Sequence, residues 1–567
     1  QFLQQSQESL SIKKLELWYG SHHSYVVEPP HDEQRQEFER SFIDNFKPII
    51  KLLKLKQINE IDELCISVGE NTVTDEHAEI IHQFITDFNI KSLSLDSLDL
   101  QLGDKKLFNP AQNIQTLRCE SCFPKHLTDC PSIKCLELDW IERTLEDCQI
   151  LSKQMRYLTE LTIRVGYDAD RLDALLSVFP PSIKILRLNI SLEEAETKVL
   201  GDFLSKNKTL LELYCVGRIM TTHQCYINLA YGLRHNSTLK SLDLSKCFYS
   251  SLPESIKIWA NDGLTNNNSL EILNLNYNKM DIGDICLALQ TNTSLKTLYL
   301  ICNQLELSSI QSMIQMLNVN QIIQEIDLFY YDYENNSPAI NDDSIELLGK
   351  LLTKQKTLKR LSIPLVFEKE SSIKELANGL QSNEGLTYLR LGFLNERRDR
   401  QELILLVHAL EHNHTLKQVI MERYEKINWV FWDQDECGIV PYPEDDDETK
   451  QRYLIQSNEL TTAYAQLIGK NQTIDNLTIS SLVTDIGAQV IAENLTKNKT
   501  LTSLRVQHQQ LTQQGCEYLQ RALDMNTQLT ELFIVNLPNE IKQTFDEKSN
   551  GRNPIAKCTI FRSTYYW

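Results

Sequence analysis

The chain has 567 residues, with Lys+Arg 57 against Asp+Glu 77 and a formal net charge of −20. That balance excludes a general phosphate-backbone binder, which needs clustered Lys and Arg to displace counterions. Low glycine (18) and proline (15) exclude collagen-like and low-complexity chains, and no apolar run reaches the about 18 residues a membrane-spanning helix requires. The cysteines (14) lack the dense spacing of a disulfide scaffold, and the opening QFLQQSQESL has no basic stretch followed by an apolar one. Reduced thiols, no signal peptide and a cytoplasmic setting are expected.

One pattern recurs along the chain: an apolar residue, two variable residues, an apolar residue, one variable residue, and a third apolar residue. In chain order it is read at Ile12-Leu15-Leu17, Ile61-Leu64-Ile66, Ile90-Leu93-Leu95, Ile114-Leu117-Cys119, Ile133-Leu136-Leu138 and Leu158-Leu161-Ile163. It continues at Ile183-Leu186-Leu188, Leu210-Leu213-Cys215, Leu239-Leu242-Leu244, Leu270-Leu273-Leu275, Leu295-Leu298-Leu300 and Ile323-Ile326-Leu328. The last six are Leu358-Leu361-Ile363, Leu386-Leu389-Leu391, Leu416-Val419-Met421, Ile474-Leu477-Ile479, Leu501-Leu504-Val506 and Leu529-Leu532-Ile534. Most of the eighteen start about 24 to 31 residues after the one before, a period that signals a repeat array.

Between these strand patterns lie helical ones. Ile486, Val490, Ile491 and Leu495 share one helical face, and Cys516, Leu519 and Leu523 follow at helical spacing. Neither a lone strand nor a lone helix buries its apolar face, so stacked neighbours must supply the core. The turn before many strands is an Asn motif: Asn207 to Leu210, Asn236 to Leu239, Asn292 to Leu295, Asn413 to Leu416 and Asn498 to Leu501. On these strand and turn motifs the chain resembles the leucine-rich repeat family, of the helix-containing, ribonuclease-inhibitor-like type. The first third departs from the pattern, with shorter repeats and PSIK in place of the Asn turn at Pro131 and Pro181.

The resemblance implies an α/β horseshoe solenoid of about 18 repeats, with parallel strands on a concave face and helices on a convex one. It implies a protein-binding scaffold and names no partner. The expected organisation is an N-terminal irregular repeat or cap over residues 1–60, the solenoid over 61–541, and a C-terminal cap or tail over 542–567. Several Asn turns also match the glycosylation sequon. A recurring structural turn accounts for them together, because Asn hydrogen-bonds local backbone.

Two inserts interrupt the repeat, near residues 329–343 and 424–453. The first carries Phe329, Tyr330, Tyr331 and Tyr333. The second carries Trp429, Phe431 and Trp432 beside Asp433, Asp435 and Glu436, and then an acidic run that includes Asp445, Asp446 and Asp447. Both leave the same end of their strands three repeats apart, roughly 15 Å at about 4.8 Å per strand, so a joint rim is feasible. Aromatic anchors among charges are what interface hot spots require. The alternative is that the aromatics pin each loop to the solenoid. Variable strand positions form a second candidate surface on the concave face: Tyr214, Asp243, Asn274, Asn276, Tyr299, Ile301, Asp327, Tyr388 and Arg390.

Catalytic signatures are not found: there is no P-loop, no H-E-x-x-H, no G-x-S-x-G and no kinase set. His22 and His23 read as surface histidines, and Cys437 sits among carboxylates that weaken a thiol nucleophile. Cys119, Cys122, Cys130 and Cys135 form a weak zinc candidate. Cys119 falls at an apolar strand position, so no metal or cofactor is expected. The expectation is a non-enzymatic interaction scaffold for a protein partner with a basic or mixed surface. Alternatives are a secreted bacterial effector that binds a host protein, and a substrate receptor or regulator of a ubiquitin ligase or small GTPase.

Overall fold

The computed structural model describes residues 11–19, 47–68, 72–73, 75–96, 99–100, 113–119, 131–140, 151, 156–165, 172–191, 193–215, 217, 222–248, 253–329, 340–393, 400–423 and 447–534. The chain divides into two compact units, residues 1–273 and 274–567. Each of the eighteen motifs becomes a strand, and the ladders are parallel. Within the first unit the central apolar residues align as Leu15, Leu64, Leu93, Leu117, Leu136, Leu161, Leu186, Leu213 and Leu242. Within the second they align as Leu298, Ile326, Leu361, Leu389, Val419, Leu477, Leu504 and Leu532.

Parallel neighbours need a crossover, and in both units helices supply it. In the first unit these include Asp75–Asp87, Glu194–Lys206 and His223–His235. In the second they include Leu307–Val319, Asp342–Leu352, Glu370–Ser382, Arg400–Glu411, Asp447–Lys470, Asp485–Leu495 and Gln513–Met525. The three apolar motif positions point toward the helices and are buried in almost every repeat. Each unit is therefore an α/β repeat solenoid whose core lies between one sheet face and the helices. Among the described residues no helix covers the opposite, open sheet face.

The Asn turn has a specific geometry. In the first unit Asn236 Nδ2 donates to Leu204 O (2.8 Å) and Asn207 O (3.2 Å) of the preceding repeat, while its Oδ1 accepts from Thr238 N (2.9 Å) and Leu239 N (2.7 Å). In the second unit Asn320, Asn383, Asn413, Asn471, Asn498 and Asn526 repeat the arrangement, and Gln355 substitutes once. Asn236, Asn413 and Asn498 are at most 3% exposed. Asn236, Asn413 and Asn498 are thus buried joints between repeats, which is the turn reading.

A second buried position follows three strands, asparagine in two of them and cysteine in one. Asn278, Asn303 and Cys247 lie three residues after the last motif leucine and are buried. Asn303 Nδ2 donates to Leu275 O and Leu300 O at 2.9 and 3.0 Å. The residue before each of the three, Tyr277, Cys302 and Lys246, takes a left-handed φ of 59°, 64° and 62°. That conformation turns the chain sharply off the strand.

Within residues 1–60, Ser11–Tyr19 pairs in register with Glu60–Val68 as a repeat strand. Two expected insert boundaries shift. The second insert closes earlier than residue 453: the helix Asp447–Lys470 begins at Asp447 and buries Leu460, Tyr464, Leu467 and Ile468 at helical spacing. After the first insert, regular structure resumes at Ile340, which bridges Leu365. Residues 542–567 lie outside the described part of the chain.

Candidate functional site

Side chains alternate across a strand, so the third and fifth motif positions face the open side. In the second unit, register brings Glu325, Arg360 and Tyr388 into one row and Tyr299, Asp327, Ser362 and Arg390 into the next. Arg360 Nε donates to Glu325 Oε1 at 3.0 Å, and its guanidinium lies 3.8 Å from the Tyr388 ring centre. Arg390 Nη2 donates to Glu422 Oε2 at 2.7 Å while its guanidinium covers the Phe329 ring at 3.6 Å. Two guanidinium–aromatic stacks thus stand side by side, each braced by a carboxylate.

Asp327 belongs to the same patch. Its carboxylate accepts from Phe329 N at 2.9 Å. Burial pushes the Asp327 carboxyl above its usual range, even though this amide bond, the Arg390 charge and Ser362 pull it down. Burial likewise raises the hydroxyls of Tyr299 and Tyr388.

The open face of the first unit uses the same device. Arg187 Nε donates to Glu160 Oε1 at 2.9 Å, its guanidinium lies 3.8 Å from the Tyr214 ring, and Tyr214 Oη donates to Glu212 Oε2 at 2.7 Å. Glu137 pairs there with Arg164 and, at 3.8 Å, with Arg118.

Of the residues expected on the concave face, Tyr299, Asp327, Tyr388 and Arg390 come together. Asn274 and Asn276 are committed to backbone: Asn274 Oδ1 accepts from Asn276 N (3.0 Å), and Asn276 Oδ1 from Ile301 N (2.7 Å). Asp243 is similarly engaged with Ser245 N at 2.8 Å. Phe329, expected as an exposed rim anchor, is 7% exposed beneath Arg390 and acts as packing. Tyr330, Tyr331, Tyr333, Trp429, Phe431, Trp432, Asp433, Asp435, Glu436, Asp445 and Asp446 lie outside the described residues, as do His22, His23 and Cys437. Asp447 opens the long helix.

The sequence reading passed over Glu325, Arg360, Ser362, Glu422 and Arg505. The first two sit at the third motif position, immediately before the central apolar residue, and reading that column as well as the fifth would have found them. Arg505 occupies the fifth position and differs from Arg360 and Arg390. Its Nε is buried without a hydrogen-bond acceptor, and its aromatic neighbour Phe533 is 5.5 Å away.

The four-cysteine zinc candidate does not assemble. Cys119 pairs with Leu138 in the apolar row and is buried, whereas Cys135 pairs with Thr116 in the open-face row. The two therefore face opposite sides of the sheet, and Cys122 and Cys130 lie outside the described residues. Among the described residues, no group of three or more His, Cys, Asp or Glu side chains is placed to hold a metal ion. Four of the described thiols are also poor nucleophiles. Burial, with Glu160 and Glu137 nearby, raises Cys135 to about 11; burial raises Cys247 to about 12, and pushes Cys215 and Cys286 up as well.

No helix among the described residues is long and apolar enough to cross a membrane. No protein-family model matches the chain, and no curated protein matches it.

Proposed function

We propose that this chain is a leucine-rich-repeat protein of the helix-containing type, acting as a non-enzymatic scaffold that binds a protein partner on the open sheet face of its second unit. The observation that carries the reading is the pair of adjacent stacks, Arg360 with Tyr388 and Arg390 with Phe329, each braced by its own carboxylate. Arg and aromatic side chains dominate interface hot spots, and bracing lowers the entropy lost when a partner lands on them. Arg505, at the fifth position of its own strand, adds a further cation to the same face, and guanidinium groups suit a partner carboxylate. The same proposal gives the aromatic and acidic inserts a share in binding the partner.

Affinity purification with chemical crosslinking tests it, followed by Kd measurements on the identified partner. Crosslinks should fall on the open-face strands between residues 297 and 534. Tyr388→Ala and Arg505→Ala should each weaken binding by about tenfold or more, with circular dichroism unchanged. Crosslinks confined to the helices, or unchanged Kd values for both variants, would reject the reading.

A further inference from the structure

Residues 47–59 read KPIIKLLKLKQIN, four lysines and no carboxylate, in a chain whose net charge is −20. Residues 47–55 are helical. The helix stops at Gln57, in a left-handed conformation (φ 57°), with Ile58 N donating back to Leu53 O at 3.1 Å. Ile50 and Leu53 are buried, whereas Leu52 and Leu55 are 53% and 72% exposed. A surface groove of about 520 Å³ is lined by Lys47, Ile50, Lys51, Lys54 and Leu55, and by Gln83 of the helix Asp75–Asp87.

Helix stability accounts for part of this. Lys54 pairs with Asp87 at 2.6 Å, and Lys54 and Lys56 lie in the last turn, where the helix dipole favours cations. Lys47 and Lys51 lie earlier, are exposed, and have no ion pair among the described residues. They line the groove beside Leu55, and Leu52 stands exposed on the same helix.

We infer that this groove docks an acidic amphipathic peptide segment of a partner protein. Its carboxylates meet Lys47 and Lys51, and its apolar side chains cover Leu52 and Leu55. Charge complementarity selects the occupant: a local basic groove on an acidic chain attracts acidic segments and repels basic ones. An anionic bilayer fits less well. Two exposed leucines are too little apolar area to hold a helix in a membrane interface, and the rest of the chain carries a large excess of negative charge. This site is separate from the open face of the second unit and does not depend on the function proposed there.

The test pans a random peptide library against the full chain, with the Lys47→Glu, Lys51→Glu double variant as counter-target. Vesicles of phosphatidylserine and phosphatidylcholine are run in parallel. Enriched peptides should combine Asp or Glu with Leu or Phe at helical spacing. They should bind the double variant at least about tenfold more weakly, and Leu55→Ala several-fold more weakly, while circular dichroism shows the fold retained. Neutral or basic winners, acidic winners that bind the double variant equally well, an empty selection, or capture on vesicles in place of peptides would each overturn the inference.

Discussion

Asn413 shows how much one side chain can hold. Its Nδ2 donates to Leu380 O (2.8 Å) and Asn383 O (3.1 Å), and its Oδ1 accepts from Thr415 N (2.9 Å) and Leu416 N (2.8 Å), all at 1% exposure. Asn413→Ala removes the acceptor of Thr415 N and Leu416 N and one donor each from Leu380 O and Asn383 O in a buried site, and should destabilise the second unit by about 2–4 kcal/mol in urea unfolding. Asn413→Asp should do no better at neutral pH, since it replaces the donor with a second acceptor facing two carbonyls. Asp327 makes the opposite case. A carboxylate whose folded pKa is raised costs stability at neutral pH, and that cost fades as pH falls through the raised pKa and is gone below the ordinary Asp value of about 3.9. Asp327→Asn should therefore stabilise the fold at pH 7 and make little difference in acid. Unfolding midpoints at the two pH values check the sign. A carboxylate kept at such a site is a candidate for recognition, so the same variant should weaken partner binding.

At the scale of elements, strands were legible because a period-two pattern repeated at fixed spacing leaves little choice of register. Even the repeats that replace the Asn turn with PSIK keep it, since Leu136 still pairs with Leu117 and Leu161. The open-face patch was half legible. Tyr388 and Arg390 stand out by residue type, but the carboxylates that brace the arginines, Glu325 and Glu422, lie 35 and 32 residues from their partners in sequence. Only the register joins them. The glycines were not legible at all, for a related reason: their role is set by a neighbouring helix. In the helix Glu370–Ser382, a Cβ on Gly379 would come within 2.3 Å of Gly349 O, and one on Gly349 within 2.4 Å of Glu375. Alanine is intrinsically the better helix former by about 1 kcal/mol. Gly379→Ala should nevertheless destabilise the second unit, because the clash is with backbone and forces two helices apart. A rise in the urea midpoint of this variant would disprove the close-packing account. Glu411 joins elements differently. Burial alone would raise its carboxyl, but hydrogen bonds from Lys470 and His408, both 2.7 Å, hold it below the usual range. It thereby ties the helix Arg400–Glu411 to the helix Asp447–Lys470, on the far side of the second insert in sequence.

For the whole chain the leading quantity is charge, and it is uneven. Residues 433–448 hold eight carboxylates and no Lys or Arg, against a chain total of −20, whereas residues 47–59 hold four lysines and no carboxylate. Long-range fields act on encounter more than on the bound state, so the acidic stretch belongs to the association rate. Reversing Asp445, Asp446 and Asp447 to lysine should slow association with a basic partner by about tenfold at low ionic strength and flatten its salt dependence. Dissociation should change far less, because the braced stacks at Arg360 and Arg390 would set that rate. Stopped-flow association across a salt series separates the two contributions. An on-rate indifferent to both the reversal and the salt would mean that the acidic run only solvates its own segment. A change confined to the off-rate would instead make those carboxylates part of the contact.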